Sequence, residues 1–483
     1  MYRYDYDLVV IGGGAAGLTA STGAGQLGAK TLLIEKEKVL GGDCLHFGCV
    51  PSKSLIKSAY CYNVLRHAQK YGLPKVELPP VDYKKVIERI TQIIATIQEH
   101  DSPQWIWDKY HVEVKFGVPQ FIDPHTISLA GTKINSKYFM IATGSSPAVP
   151  PIEGINQVPF ITNVEIFSLP RLPASLIVLG GGPIGMEMAQ AFARLGSKVT
   201  VVEFLSHVLS NEDEDIGEFI EKKLNEEGIT VLIKSKAIKV EKEGDLIKVL
   251  VEKDGQKSTL KGETLLVATG RKANVEGLDL EKAGVEYTKK GIKVDQKLRT
   301  TTKNIYAIGD VNGSFPFTHV ASYEAGIAMV NAIMHLPVKV DYTKVPWVTY
   351  LDPEVASIGY NEKRAKEADL SYEIQKEEFK DNDRALAESE TDGFIKILIN
   401  KKGKPMGVQI IGYHAGDLIH EWVAALNGNM SLPRIAQAIH AYPTLSEISK
   451  RASGNYLAPQ LFNNFIRRTL KFLFGLQGNI SGF

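Results

Sequence analysis

Cysteine is scarce in this chain, with three in 483 residues. That excludes the disulfide framework of a small secreted domain. A charge imbalance is missing too: 56 Lys plus Arg stand against 55 Asp plus Glu, a net charge of +1. Such a chain offers no basic footprint for nucleic acid, so a small or neutral partner is expected. No charge-free run reaches the length of a membrane span. The first residues, Met1-Tyr2-Arg3-Tyr4-Asp5-Tyr6-Asp7, lead into an apolar stretch without a basic segment or cleavage site. These absences predict a globular, cytoplasmic protein of roughly three domains.

Scarcity makes the positions of the cysteines informative. Cys44 and Cys49 fall in Gly41-Gly42-Asp43-Cys44-Leu45-His46-Phe47-Gly48-Cys49-Val50-Pro51-Ser52-Lys53. The C-x4-C spacing allows a disulfide within one distorted helical turn, and Gly41 and Gly42 let the backbone approach a ligand. A bridge over so short a loop restricts the unfolded chain little, so redox exchange is expected rather than stabilisation. Cys61 reads as an inert helix residue.

Two segments carry the pattern of a dinucleotide site. Asp7–Ile11 reads as a buried strand, and Gly12-Gly13-Gly14-Ala15-Ala16-Gly17 opens a helix of small residues. Gly12 permits the turn, Gly14 leaves room for a pyrophosphate, and Gly17 lets helix and strand pack closely. A second strand ends at Glu35, followed by Lys36, with the carboxylate placed for an adenosine ribose. The pattern recurs at Gly180, Gly182 and Gly185, with its acidic residue at Glu203. Glu203 favours a free ribose 2′-hydroxyl, hence NADH over NADPH. Ile141-Ala142-Thr143-Gly144 and Val267-Ala268-Thr269-Gly270 are near-copies that end apolar strands, as at crossings between nucleotide domains. Asn304–Asp310 is a further strand ending in Gly309-Asp310, where Asp310 suits a flavin ribityl hydroxyl.

Together these residues resemble the pyridine nucleotide-disulfide oxidoreductases, the flavoprotein family of dihydrolipoamide dehydrogenase, glutathione reductase and mercuric reductase. The resemblance spans Tyr4 to Ala452 and includes Tyr442-Pro443-Thr444 to Glu447. It implies an α/β fold with two Rossmann-like domains and a C-terminal α+β dimerisation domain. The implied division is an FAD domain over 1–150 and 276–345, an NAD domain over 151–275, an interface domain over 346–455 and a tail over 456–483. It also implies a homodimer with FAD and NAD(H). By resemblance, Cys49 lies against the flavin, Cys44 exchanges with substrate, and Lys53 approaches flavin N5 and pairs with Glu187. Thr318, His319 and Ala321 resemble the segment that leads a helix N-terminus to the flavin pyrimidine ring.

The chain also departs from that family. Tyr442 stands where the disulfide reductases carry a histidine before Pro-Thr, and a phenol is a far weaker base at neutral pH. An acceptor other than lipoamide or glutathione is therefore expected. No cysteine follows Cys61, which argues against the C-terminal cysteine pair of mercury delivery. His46, inside the cysteine loop, is a candidate to lower a thiol pKa or carry a proton. His440 is an alternative base, expected to share a face with Tyr442 if the segment is extended. Leu461, Phe462, Phe465, Ile466, Leu470, Leu473 and Phe474 fall at helical spacing opposite basic residues, with Phe472 interrupting the polar face. This predicts an amphipathic helix over 461–474 that packs on the dimer or contacts a membrane peripherally. The leading expectation is an NADH-dependent FAD disulfide oxidoreductase. Alternatives are a quinone or metal-ion reductase and a redox-sensing flavoprotein. No bound metal is expected.

Overall fold

The computed structural model describes residues 4–478. Two compact units divide the chain. The first gathers residues up to Arg66, Val76–Ser210 and Glu218–Asp341; the second holds His67–Lys75, Asn211–Gly217 and the chain from Tyr342 onward.

In the first unit, β-branched runs bounded by glycine form parallel sheets. Strand Tyr6–Ile11 pairs in parallel with Thr31–Glu35 on one side and with Thr132–Ile141 on the other. Its Leu8, Val9 and Val10 are fully buried, as a strand covered on both faces requires. Helix Ala15–Gln26 follows, burying Ala16, Ala20 and Ala24. Strand Ile305–Ala307 returns much later in the chain to pair with Phe139–Ile141. A second sheet repeats the plan: Ser175–Leu179 pairs in parallel with Lys198–Val202 and Thr264–Val267, and helix Pro183–Leu195 follows the first of these.

The repeat extends to single atoms. Gly12 and Gly180 have φ of 110° and 109°, a conformation that favours glycine. A Cβ on Gly12 would collide with the Ala142 carbonyl, and one on Gly180 with the Ala268 carbonyl. The near-copies at 141–144 and 267–270 thus perform the same task in the two sheets. Immediately beyond them, Ser145–Pro147 and Arg271–Ala273 pair with each other as an antiparallel ribbon.

The second unit is built on a five-stranded antiparallel sheet in the order Pro346–Thr349, Glu354–Gly359, Pro405–Gly412, Phe394–Ile399, Glu373–Glu378. Helix Ala415–Asn427 covers it with a fully buried Trp422. Inside the sheet, the Lys396 ammonium sits 2.8 Å from Asp213, 2.7 Å from Asp215 and 3.3 Å from Glu362. The architecture is the expected α/β arrangement with an α+β C-terminal part.

The tail differs from its expectation. Instead of one helix over 461–474 there are two, Glu447–Leu461 and Asn464–Phe474. The cause is Asn463, whose side chain accepts the Ile466 N–H at 2.9 Å and starts a new helix. Leu461 and Phe462 therefore belong to the end of the preceding helix. Phe472, seven residues after Phe465, lies on the same side of the new helix and does not interrupt its polar face.

Candidate functional site

The cysteine segment folds as two helices. Cys44 lies in the short helix Gly42–His46, and Cys49 opens the long helix Cys49–Arg66. The single distorted turn is replaced by a break at Phe47 and Gly48, where a Cβ on Gly48 would lie 3.0 Å from the Asp43 carbonyl oxygen. Both side chains are free thiols, Cys44 half-buried and Cys49 exposed. They hydrogen-bond to each other, which splits their acidities. Cys49 is held down to about 6, chiefly by the bond from Cys44, with Thr318 and Lys53 adding against the cost of desolvation. Cys44 is pushed up by its bond to Cys49 and by burial, so it remains the proton donor.

Several elements converge on the Cys49 sulfur. Thr318 Oγ1 lies 3.4 Å away and opens the helix Thr318–Ile333. The first residues of two long helices therefore meet here, and their positive ends favour a thiolate. His319, next in that helix, stacks on Phe317 at 5.4 Å between ring centroids. Ala321 is buried, and its Cβ lies 3.3 Å from where a Cβ on Gly309 would stand. Lys53, one turn beyond Cys49, donates to Glu187 Oε2 at 2.8 Å. His46 is not among the groups that shift either thiol; its Nε2 instead meets the Leu40 carbonyl at 2.8 Å.

The same segment joins the two glycine turns. A Cβ on Gly42 (φ 61°) would lie 2.7 Å from Gly14 Cα, so the cysteine helix starts directly against the first turn. Its other end reaches Glu187, two residues beyond Gly185 of the second. Each turn is held by its acidic residue in the same way. Glu35 accepts the N–H of Gly13 at 2.6 Å and of Glu37 at 2.8 Å; Glu203 accepts the N–H of Gly181 at 2.5 Å and of Leu205 at 2.6 Å. A carboxylate has about four acceptor sites, so two remain for a ribose. Gly14 and Gly182 begin their helices without a side-chain cap, which leaves backbone N–H groups for phosphate oxygens. In both turns a Cβ at the third glycine, Gly17 or Gly185, would strike the carbonyl of the first. Both sites therefore fit a dinucleotide. Lys36 is exposed and pairs with Glu37 at 3.6 Å.

Three residues of this region escaped the sequence reading: Ser145, Asn163 and Arg271. Arg271 lies 3.2 Å from Asp43 and donates to Ser145 Oγ at 2.7 Å, and Ser145 donates to Asp310 at 2.5 Å. Asn163 donates to the other Asp43 oxygen at 3.3 Å. The chain Asp43–Arg271–Ser145–Asp310 ties the cysteine helix to the Gly309-Asp310 turn. A signal existed, since Ser145 and Arg271 directly follow Thr143-Gly144 and Thr269-Gly270. Thr143 itself donates to the Asn274 carbonyl at 2.7 Å.

In the second unit, Tyr442 is 71 % exposed, and its hydroxyl donates to Asp383 at 3.1 Å. That bond raises the phenol pKa, so still less phenolate is present at neutral pH. Glu447 accepts the Thr444 N–H at 3.3 Å. His440 does not share the partners of Tyr442: its Nε2 meets Glu421 at 2.9 Å and its Nδ1 the Ala438 carbonyl at 3.2 Å.

The family profile described as pyridine nucleotide-disulphide oxidoreductase matches residues 6–325, and its dimerisation domain matches residues 345–453. The chain belongs to the pyridine nucleotide-disulphide oxidoreductase family. Members of this family are FAD-dependent oxidoreductases that use a pyridine nucleotide, and the dimerisation domain supports a homodimer. Among its relatives, a mitochondrial dihydrolipoyl dehydrogenase of Arabidopsis thaliana is 37 % identical over 93 % of this chain and 90 % of its own length. A mercuric reductase of Bacillus cereus is 35 % identical over 93 % of this chain and 71 % of its own. Among solved structures, the Cu(II) complex of the HOCl-induced flavoprotein disulfide reductase RclA from Escherichia coli has a TM-score of 0.82 at 26 % identity, covering 92 % of this chain and 98 % of that one. Among the described residues no helix is long and apolar enough to cross a membrane.

Proposed function

We propose that this oxidoreductase passes electrons from NADH by way of FAD to the Cys44–Cys49 pair, and from there to an acceptor other than lipoamide or glutathione. One observation carries the reading. The segment Gly42–Lys53 abuts the first glycine turn at Gly14 and reaches the second through Glu187, with a thiol held down to about 6 between them. FAD, when bound, supplies hydride acceptance and two-electron exchange with a disulfide. The protein's part is to orient it and to manage charge and protons. Gly12, Gly14 and Gly17 admit its pyrophosphate, Glu35 takes the ribose, and Asp310 serves the ribityl chain. Lys53 and Thr318 favour a thiolate at Cys49, while Cys44 keeps its proton and, as the outer thiol, exchanges with substrate. Gly180, Gly182, Gly185 and Glu203 serve the nicotinamide nucleotide. Phe204 and Leu205 follow Glu203, both exposed and neither able to pair with a 2′-phosphate, which supports NADH over NADPH.

The choice of acceptor rests on Tyr442. Its hydroxyl is spent on Asp383 and its pKa is raised, so the proton partner that a dithiol substrate needs is weak. A quinone or metal ion is the second reading, favoured by the same tyrosine and by the Cu(II) complex of the Escherichia coli relative. A redox-sensing role is the third, and it entails slow turnover with every acceptor. We place the protein in the cytoplasm as a homodimer. Anaerobic titration with NADH tests the thiol step through a long-wavelength thiolate-to-flavin band; a titration without that band removes Cys49 from the mechanism. A panel of disulfides, quinones, Cu(II) and Hg(II), run on Cys44→Ser and Tyr442→His, then separates the readings. Disulfide turnover is lost in Cys44→Ser, and lipoamide turnover rises about tenfold or more in Tyr442→His. Quinone or Cu(II) reduction that survives Cys44→Ser shows that those acceptors bypass the cysteines.

A further inference from the structure

Among the described residues the last helix leaves most of its apolar side open. In Asn464–Phe474 no side chain is buried, and Phe465 and Phe472 are 79 % and 87 % exposed. At 100° per residue, Phe465, Phe472, Leu473, Ile466, Leu470 and Phe474 fill one broad side, while Asn464, Arg467, Arg468 and Lys471 fill the remaining narrow arc. Arg467 and Arg468 flank that arc, where long cationic stems can lie along an apolar boundary with their heads in a polar layer. Charge is segregated as well. The whole chain is balanced to +1, yet no Asp or Glu follows Glu447, while Lys450, Arg451, Arg467, Arg468 and Lys471 do.

We propose that Asn464–Phe474 docks in the plane of a membrane surface that carries anionic lipid. Its 11 residues are too few to span a bilayer, and its three cations on a narrow arc complement lipid phosphates. The helix lies beyond residue 453, where the dimerisation-domain match ends, so it is outside the segment with which the family pairs its subunits. A second copy of the tail is the poorer occupant, because it brings the same cations and no carboxylate to meet them. This proposal is independent of the acceptor reading, which rests on Tyr442.

The test is co-sedimentation of the full-length holoenzyme with vesicles of phosphatidylcholine, alone or mixed with phosphatidylglycerol. The protein pellets with the mixed vesicles and stays in solution with the neutral ones. Replacing Arg467, Arg468 and Lys471 together by Gln lowers partition on the order of a hundredfold, and added salt acts in the same direction. Serine at Phe465, Phe472 and Leu473 also releases the protein, and NADH oxidation in solution is unchanged in both variants. Failure to pellet with mixed vesicles overturns the proposal, as does undiminished binding by the charge variant. Loss of the dimer on deleting 462–478, seen by analytical ultracentrifugation, assigns the face to a second copy and overturns it equally.

Discussion

Removing the Cys44 thiol should make its neighbour a weaker acid. In the reduced protein Cys49 is held down to about 6, and the largest cause is the hydrogen bond that Cys44 donates. At pH 7 a thiol of that acidity is about nine-tenths thiolate, against about 3 % for an ordinary cysteine near 8.5. A hydrogen bond to a charged group contributes about 1.5–3 kcal/mol, equivalent to about one to two pH units. In Cys44→Ala the Cys49 midpoint therefore moves to about 7–8, and its thiolate fraction at pH 6 falls from about one half to between about a tenth and a hundredth. The sign follows from deprotonation: alkylation rises with pH through the midpoint, so the variant reacts more slowly in acid and catches up in base. The assay is the pH dependence of iodoacetamide modification of the anaerobically reduced holoenzyme, in a Cys61→Ser background that removes the other exposed thiol. A wild-type midpoint near 8.5, or an unmoved midpoint in Cys44→Ala, refutes the reasoning.

Three further outcomes follow from the packing. Lys53→Met leaves the buried Glu187 carboxylate without its ammonium and destabilises the protein by about 2 kcal/mol, less than for a fully buried pair because Lys53 is 35 % exposed; urea unfolding measures it, and the Cys49 midpoint rises with it. Gly42→Ala sets a Cβ against Gly14 Cα at a φ of 61°, so the purified protein carries less flavin per chain, read from its visible absorbance. Lys396→Met strands Asp213, which is 5 % exposed, and costs about 3 kcal/mol in chemical denaturation, with no change in the Cys49 midpoint.

Parts of the site that depend on neighbours in sequence were legible before any fold was known. The turns at Gly12–Gly17 and Gly180–Gly185, with Glu35 and Glu203 closing them, are strand–turn–helix units whose geometry is set within about thirty residues. Contacts across the fold were not, apart from the Lys53–Glu187 pair that the family resemblance implied. Thr318 lies 269 residues from Cys49, and its place beside the sulfur depends on where the helix Thr318–Ile333 begins. Arg271 reaches Asp43 only because the ribbon Ser145–Pro147 with Arg271–Ala273 carries it there. His46 reads as a thiol partner in one dimension, yet the Leu40 carbonyl takes its Nε2. His440 and Tyr442 lie two residues apart but turn to Glu421 and Asp383. The tail was half legible: its apolar period was visible, whereas its division at Asn463 depended on a capping bond.

Sequence alone determined the α/β class, the two glycine turns and the paired cysteines, because each is written in residue type and short-range spacing; that Tyr442 replaces a histidine came from the family resemblance. Tertiary structure decided which thiol is acidic. Two cysteines five residues apart are chemically equal in one dimension, and they become unequal when the bond from Cys44, then Thr318 and Lys53, act on the Cys49 sulfur while Cys44 stays half-buried as the donor.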